Sequence, residues 1–344
     1  MKTVYLDRNE SQYGPSPKCF EALHNIGIEH LSQYTRDYAR GVKSRVSEKL
    51  AAWLGLEEKH ILLSYGSEGL LKYAVHKFVP KNGTLMVPDK SWWYYGAIAN
   101  EVGGKSVTYE IKDIGDRFVY DLDEMKRVYD ENQPHAIFIA SPNNPTGNSI
   151  STEDLVEILG YFKNSKVIID EAYWGFNSLD NTHIKKLIEA NPNLLIFRTF
   201  SKYFALAGLR FGYGICSDAF ADFATYTTRY LGYSPLIEDL ALAALNDLDY
   251  YAEINKKYTS DKDLYYKTLA DYDFITCYKS DCNFLFIKMH PNMIEPLKKG
   301  LEPTGLKVKF FDDDIFQDSI RLSLGTQEQG QIVLNEIVKA TKFV

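Results

Sequence analysis

Cysteine is scarce in this chain: four in 344 residues, Cys19, Cys216, Cys277 and Cys282, with no C-x-x-C pair among them. That pattern excludes a disulfide framework and a cysteine-built zinc site, so all four are expected to be reduced. Long apolar runs are also missing. None approaches the roughly 20 residues of a membrane span, and the opening stretch Met1 to Arg8 becomes charged before an apolar segment can develop. The expectation is a cytoplasmic protein with no membrane partner. Nor is there an excess of positive charge: 39 Lys and Arg stand against 46 Asp and Glu, a net charge of -7, which argues against a nucleic-acid partner. Internal repeats, low-complexity tracts and long flexible linkers are absent from the sequence as well.

What is present is an ordinary globular composition, 45% hydrophobic and 25% charged, in a chain longer than one core usually serves. One large domain and one smaller one are expected. Short β-like runs at 60–65, 84–87, 106–111, 136–140, 166–169 and 194–199 alternate with stretches long enough for helices. Several runs are apolar throughout, as required when helices cover both faces of a sheet. This predicts an α/β fold with a largely parallel, doubly wound sheet, whose ligands gather at the carboxyl ends of the strands. Helices are predicted at 17–24, 42–54, 66–78, 218–231, 235–248 and 250–269. A smaller α/β unit follows, with strands at 274–277, 283–288, 307–311 and 319–323 and a last helix at 326–342.

The strand ends carry the chemistry. After the run 194–199 come Ser201, Lys202 and Arg210, a lysine set between hydroxyls and an arginine, suited to a Schiff base beside a bound phosphate. Gly66-Ser67-Glu68 follows another strand and opens a helix, whose free N–H groups favour an anion, although Ser-Glu there is equally a plain helix cap. Trp92 begins an aromatic cluster fit for core packing or for stacking on a flat ligand. Ser141-Pro142-Asn143-Asn144-Pro145-Thr146-Gly147 reads as a turn with an amide to offer. Asp170 and Glu171 end an apolar strand, where buried carboxylates need a cationic partner. A metal is poorly supplied with further ligands at that point, and a protonated pyridine nitrogen would serve instead.

Taken together, these segments resemble the fold-type I pyridoxal-phosphate (PLP) enzymes, in particular the class I and II aminotransferases that include the histidinol-phosphate enzymes. The resemblance runs through the whole chain, from Asn9-Glu10 with Tyr13-Gly14-Pro15, through the segments above and Asp170-Glu171-Ala172-Tyr173, to Arg321-Leu322-Ser323-Leu324-Gly325. It implies a large domain with a mostly parallel seven-stranded sheet between helices (36–248), a small α/β domain (249–344), and an arm (1–35) that belongs to the small domain. It implies PLP held by Lys202, Asp170 on the pyridine nitrogen, Asn144 and Tyr173 on the phenolate oxygen, and Trp92 stacked on the ring. The phosphate would fall to Ser67, Glu68, Thr199, Ser201 and Arg210, joined across a homodimer interface by the partner's Tyr34 or the partner's Tyr38. Lys202, Asp170 and Tyr173 would be the catalytic set. Tyr13, Arg321 and Lys309 would bind the substrate, with Lys309 standing where the histidinol-phosphate enzymes usually have a second arginine.

Ser11-Gln12 and Gly232-Tyr233-Ser234-Pro235 also depart from the family's usual pattern. The implied reaction is transamination between an amino donor and an oxo-acid acceptor, histidinol phosphate with 2-oxoglutarate or a related phosphorylated or acidic pair. A decarboxylase resembling the threonine-phosphate enzymes is the alternative on the same scaffold. A non-catalytic relative is disfavoured because Lys202 and Asp170 are both present.

Overall fold

The computed structural model describes residues 3–344. Its strands are β1 (Val4–Leu6), β2 (Ile61–Ser64), β3 (Thr84–Pro88), β4 (Lys105–Tyr109), β5 (Ile111–Asp113), β6 (Phe118–Tyr120), β7 (Ala136–Ala140), β8 (Lys166–Asp170), β9 (Leu194–Thr199), β10 (Gly212–Cys216), β11 (Ile275–Cys277), β12 (Phe284–Met289), β13 (Leu306–Phe310) and β14 (Ser319–Ser323). Seven of them form one sheet in the order β2-β10-β9-β8-β7-β3-β4. It is parallel except for β10, which runs against both its neighbours.

The central strands show why their sequences lack polar alternation. Ile137 and Ile139 of β7, Val167 and Ile169 of β8, and Leu194 and Ile196 of β9 pack into one buried cluster. The intervening Phe138, Ile168, Leu195 and Phe197 pack into a second one on the other face. Because successive side chains point to opposite faces, both faces are covered and every position must be apolar. Each fully buried residue of this size contributes about 1.5–3 kcal/mol.

A second, five-stranded sheet has the order β1-β13-β14-β12-β11. β1 adds parallel to β13, with Val4 opposite Leu306, and so ties the N-terminal segment to a strand some 300 residues later. A three-residue strand leaves almost no trace in the sequence pattern, and β1 was not expected from it. The run expected at 106–111 is divided. Asp89 causes the break: its backbone N–H donates to Tyr109 O at 2.9 Å, and its carboxylate accepts from the Ile111 N–H at 2.8 Å. Ile111 then leads into the β5–β6 hairpin.

Helices follow the expectations at 17–24 and 66–78, while 218–231 shrinks to a short turn plus Ala221–Thr227 because Thr228 adopts extended backbone. The last helix is Gln327–Ala340, begun by a capping box in which Thr326 and Gln329 satisfy each other's backbone N–H groups. No helix among the described residues is long and apolar enough to cross a membrane.

Candidate active site

The carboxyl ends of five strands of the large sheet open into one cavity of ≈ 870 Å³. β2 delivers Gly66, Ser67 and Glu68, β3 delivers Trp92, β7 delivers Asn144, β8 delivers Asp170 and Tyr173, and β9 delivers Thr199, Ser201 and Lys202. Lys309 and Arg321 enter from the small sheet, and Asp7 to Glu10 close one side.

Asp170 lies 5% exposed on the floor. Tyr95 donates its hydroxyl to Asp170 Oδ2 at 2.7 Å, and the Ala172 N–H donates to Oδ1 at 3.1 Å. Burial nevertheless dominates and pushes the carboxyl up to about 6. A carboxylate held there is short of positive charge, so a cationic ring nitrogen placed against it would restore its ionised form.

Lys202 is driven the other way. Burial first, then the neighbouring Arg321 and Arg210, lower its amine to about 8, with Glu10 opposing. Its Nζ donates to the Arg8 carbonyl at 2.7 Å. A lysine in that range is in part a free amine near neutral pH, as a nucleophile and a proton carrier need.

Tyr173 and Asn144 both retain a donor. The Tyr173 hydroxyl accepts from Asn9 Nδ2 at 2.8 Å, which leaves its own proton for the cavity. Asn144 Oδ1 accepts from Arg321 Nη1 at 2.5 Å, which leaves the Nδ2 hydrogens unspent. Asn9 reaches Tyr173 from a left-handed backbone at φ 57 and exchanges further hydrogen bonds with Ser323 of β14 at 2.8 and 3.0 Å.

The anion seat is built from glycine and hydroxyls. Gly66 turns at φ +77 into the helix Gly66–Phe78, and a Cβ on it would come within 3.3 Å of Arg210 Nη2. Gly212 of β10 lies so near that a Cβ there would meet the Gly66 carbonyl carbon and the Ser67 nitrogen at 2.7 Å. Thr199 Oγ1 donates to Ser201 Oγ at 2.9 Å. The Arg210 guanidinium makes stretched contacts, each 3.5 Å, to Ser201 Oγ, the Ala207 carbonyl and Glu68 Oε2, so its fork is free to grip an anion.

At the opposite end Lys309 and Arg321 face each other in register on β13 and β14. Like charges paired across strands repel unless an anion lies between them. Arg321 also donates Nη2 to the Asp7 carbonyl at 2.5 Å, while its buried Nε has no partner among the described residues.

Of the residues expected from the sequence, Tyr13, Tyr34 and Tyr38 are not among the cavity lining. Tyr13 packs edge-on against Tyr258, ring centroids 5.7 Å apart, under the Lys257 ammonium. Tyr34 and Tyr38 are 63% and 41% exposed on this chain. Three contributors escaped the sequence reading: Tyr95, which braces Asp170, Asn9, which braces Tyr173, and the Arg8 carbonyl on Lys202. Tyr95 follows Trp92 by three residues, which puts both on one face of a helical turn, a usable signal. Asn9 stood in the segment that opens the resemblance but without a role, and Arg8 gave no signal.

Residues 2–337 match the family profile of aminotransferase class I and II. The chain belongs to the class I and II aminotransferases. A "Histidinol-phosphate aminotransferase" of Ruminiclostridium cellulolyticum is 30% identical over 342 residues, covering 97% of this chain and 91% of its own. Among solved structures, the histidinol-phosphate aminotransferase of Sinorhizobium meliloti in complex with pyridoxal-5'-phosphate superposes with a TM-score of 0.86 at 23% identity, over 99% of this chain and 92% of that one. L-threonine-O-3-phosphate decarboxylase of Porphyromonas gingivalis shares the fold, with a TM-score of 0.78 at 15% identity over 98% and 99% of the two chains. As an aminotransferase, the chain has a cavity whose donors fit a phosphorylated pyridine aldehyde: a carboxylate lacking a cation, two unspent donors, a partly neutral lysine and a loosely held arginine.

Proposed function

We propose that this PLP-dependent aminotransferase moves an amino group between histidinol phosphate and 2-oxoglutarate. The opposed cations Lys309 and Arg321 carry the reading, since their repulsion asks for an anionic substrate group. The name of the R. cellulolyticum relative supplies the particular donor.

When bound, the cofactor supplies an electron sink for a carbon that loses a proton. Lys202 Nζ would hold the cofactor and would carry the proton at the substrate carbon. Asp170 would keep the pyridine nitrogen protonated, and the Tyr173 hydroxyl and Asn144 amide would donate to the phenolate oxygen. Trp92 would lie against the ring. The backbone N–H groups of Ser67 and Glu68, the hydroxyls of Thr199 and Ser201, and Arg210 would hold the phosphate. Arg321 and Lys309 take the substrate's acidic group. Tyr13, outside the cavity lining and packed on Tyr258, would act only indirectly.

The protein works as a cytoplasmic homodimer in which the partner's Tyr34 or the partner's Tyr38 reaches the phosphate. Ile28, Leu31, Tyr34 and Tyr230, between 63% and 86% exposed, support a covered apolar face there. Residues 36–248 form the cofactor domain and 249–344 the small one, and the pairing of β1 with β13 supports assigning 1–35 to the latter.

The decisive assay supplies histidinol phosphate and 2-oxoglutarate and measures glutamate. Carbon dioxide from threonine phosphate, without glutamate from histidinol phosphate, would instead establish the decarboxylase reading on the shared fold.

A further inference from the structure

Beneath the site lies an ion pair, one partner fully buried and the other nearly so, with no part in the chemistry above. Arg198 of β9 is 1% exposed, and its Nε donates to Glu171 Oε2 at 2.6 Å. Its Nη1 donates to Asn181 Oδ1 at 2.8 Å, and the guanidinium lies over the Trp174 indole, 4.0 Å from its centroid. Nη2 has no partner. Replacing a buried ion pair by apolar groups of similar volume is often neutral or stabilising, so stability alone gives little reason for this one.

Its position gives another. Glu171 directly follows Asp170, and Arg198 directly precedes Thr199, on neighbouring parallel strands where Asp170 pairs with Phe197. Side chains alternate along a strand, so the charged pair points away from the cavity while Asp170 and Thr199 point into it. Trp174 continues the contact edge-on to Tyr203, ring centroids 6.1 Å apart, and Tyr203 is the neighbour of Lys202. One clasp thus holds the backbone of the carboxylate, of a phosphate hydroxyl and of the lysine.

We infer that Arg198 and Glu171 are positioning residues that fix the spacing of Asp170, Thr199 and Lys202 around the cofactor. The inference rests on those three residues holding the cofactor as proposed above. Displacements of about 1 Å in such a constellation are enough to cost up to about a hundredfold. Lysine at 198 would keep a charge on Glu171 but cannot also reach Asn181 with a second fork nitrogen, so it should restore only part of the effect.

The experiment compares wild type, Lys202→Ala, Arg198→Lys and the double variant Arg198→Met/Glu171→Leu. The apoprotein is melted, then titrated with PLP, and the visible band of the loaded protein is followed against pH. The double variant should melt near the wild-type apoprotein, bind PLP about tenfold or more weakly and titrate at a displaced pH, with Arg198→Lys between the two. Wild-type PLP affinity and an unmoved titration in the double variant overturn the inference. Should the double variant fail to fold, Arg198→Lys decides: weaker PLP binding at an unchanged apoprotein melting point supports the clasp, and unchanged binding overturns it. A visible band unaltered in Lys202→Ala overturns the cofactor assignment itself, which separates that failure from a failure of the clasp alone.

Discussion

The floor and the rim of the cavity are built on opposite principles. The floor is set by buried residues at strand ends of a sheet covered on both faces, each held by a neighbour: Asp170 by Tyr95, Ser201 by Thr199, Tyr173 by Asn9. The rim is drawn from another sheet, with Lys309 exposed on β13, Arg321 tied to the Asn144 amide and to a backbone carbonyl, and Asp313 and Phe316 on the loop that follows. A buried, braced site admits few side-chain choices, because each change strands a polar group or opens a void. The half-exposed rim tolerates replacement, so reaction type is anchored at the floor and substrate choice is free to drift at the rim.

The largest effect should come from the floor. Asp170→Ala removes the only carboxylate proposed to keep the ring nitrogen protonated, and kcat should fall by about 10²–10⁴ with the visible band shifted; steady-state kinetics showing less than a tenfold loss would place the protonating group elsewhere. Arg321→Gln should act on KM for the acidic substrate, raising it by roughly 10- to 150-fold if one charge-assisted contact of about 1.5–3 kcal/mol is lost, with less change in kcat. An equal loss in both parameters would erase the distinction between floor and rim.

Next comes pH. Lys202 is lowered to about 8, and only its neutral amine bonds an aldehyde, so association of PLP with the apoprotein should slow as pH falls below 8, approaching tenfold per unit, and level off above it. Stopped-flow mixing from pH 6 to 9 reads this directly, and a flat profile would rule out control by the Lys202 amine. The smallest effect belongs to Lys309→Arg, which restores a planar fork and should lower KM only a few-fold at constant kcat.

The same contrast decides what could be read from the sequence. Asp170 was legible because a carboxylate ending an apolar run is costly unless a cation answers it, whereas Lys202 and Arg210 drew their roles from the whole set of segments that carries the family resemblance. The alternation of runs and helices gave the doubly wound sheet for a similar reason, since continuous apolar strands have one common explanation. Arg8 and Asn9 were not legible. The first acts through its backbone carbonyl, which carries no residue identity, and the second through a left-handed turn whose partners lie 164 and 314 residues away. Tyr13 was assigned to the pocket by the resemblance alone; it is partly buried, packed edge-on against Tyr258 and outside the cavity lining.

The Lys202 to Arg8 hydrogen bond carries an accounting consequence. An amine committed to a cofactor has fewer hydrogens to share, so a carbonyl of the N-terminal segment must find another donor whenever the lysine is engaged. The free energy by which engagement loosens that segment equals the free energy by which a restrained segment opposes engagement, for the two are one quantity seen from its two ends. Residues 3–10 are thereby a reporter: amide hydrogen exchange in this segment would register the occupancy of a lysine nearly two hundred positions away.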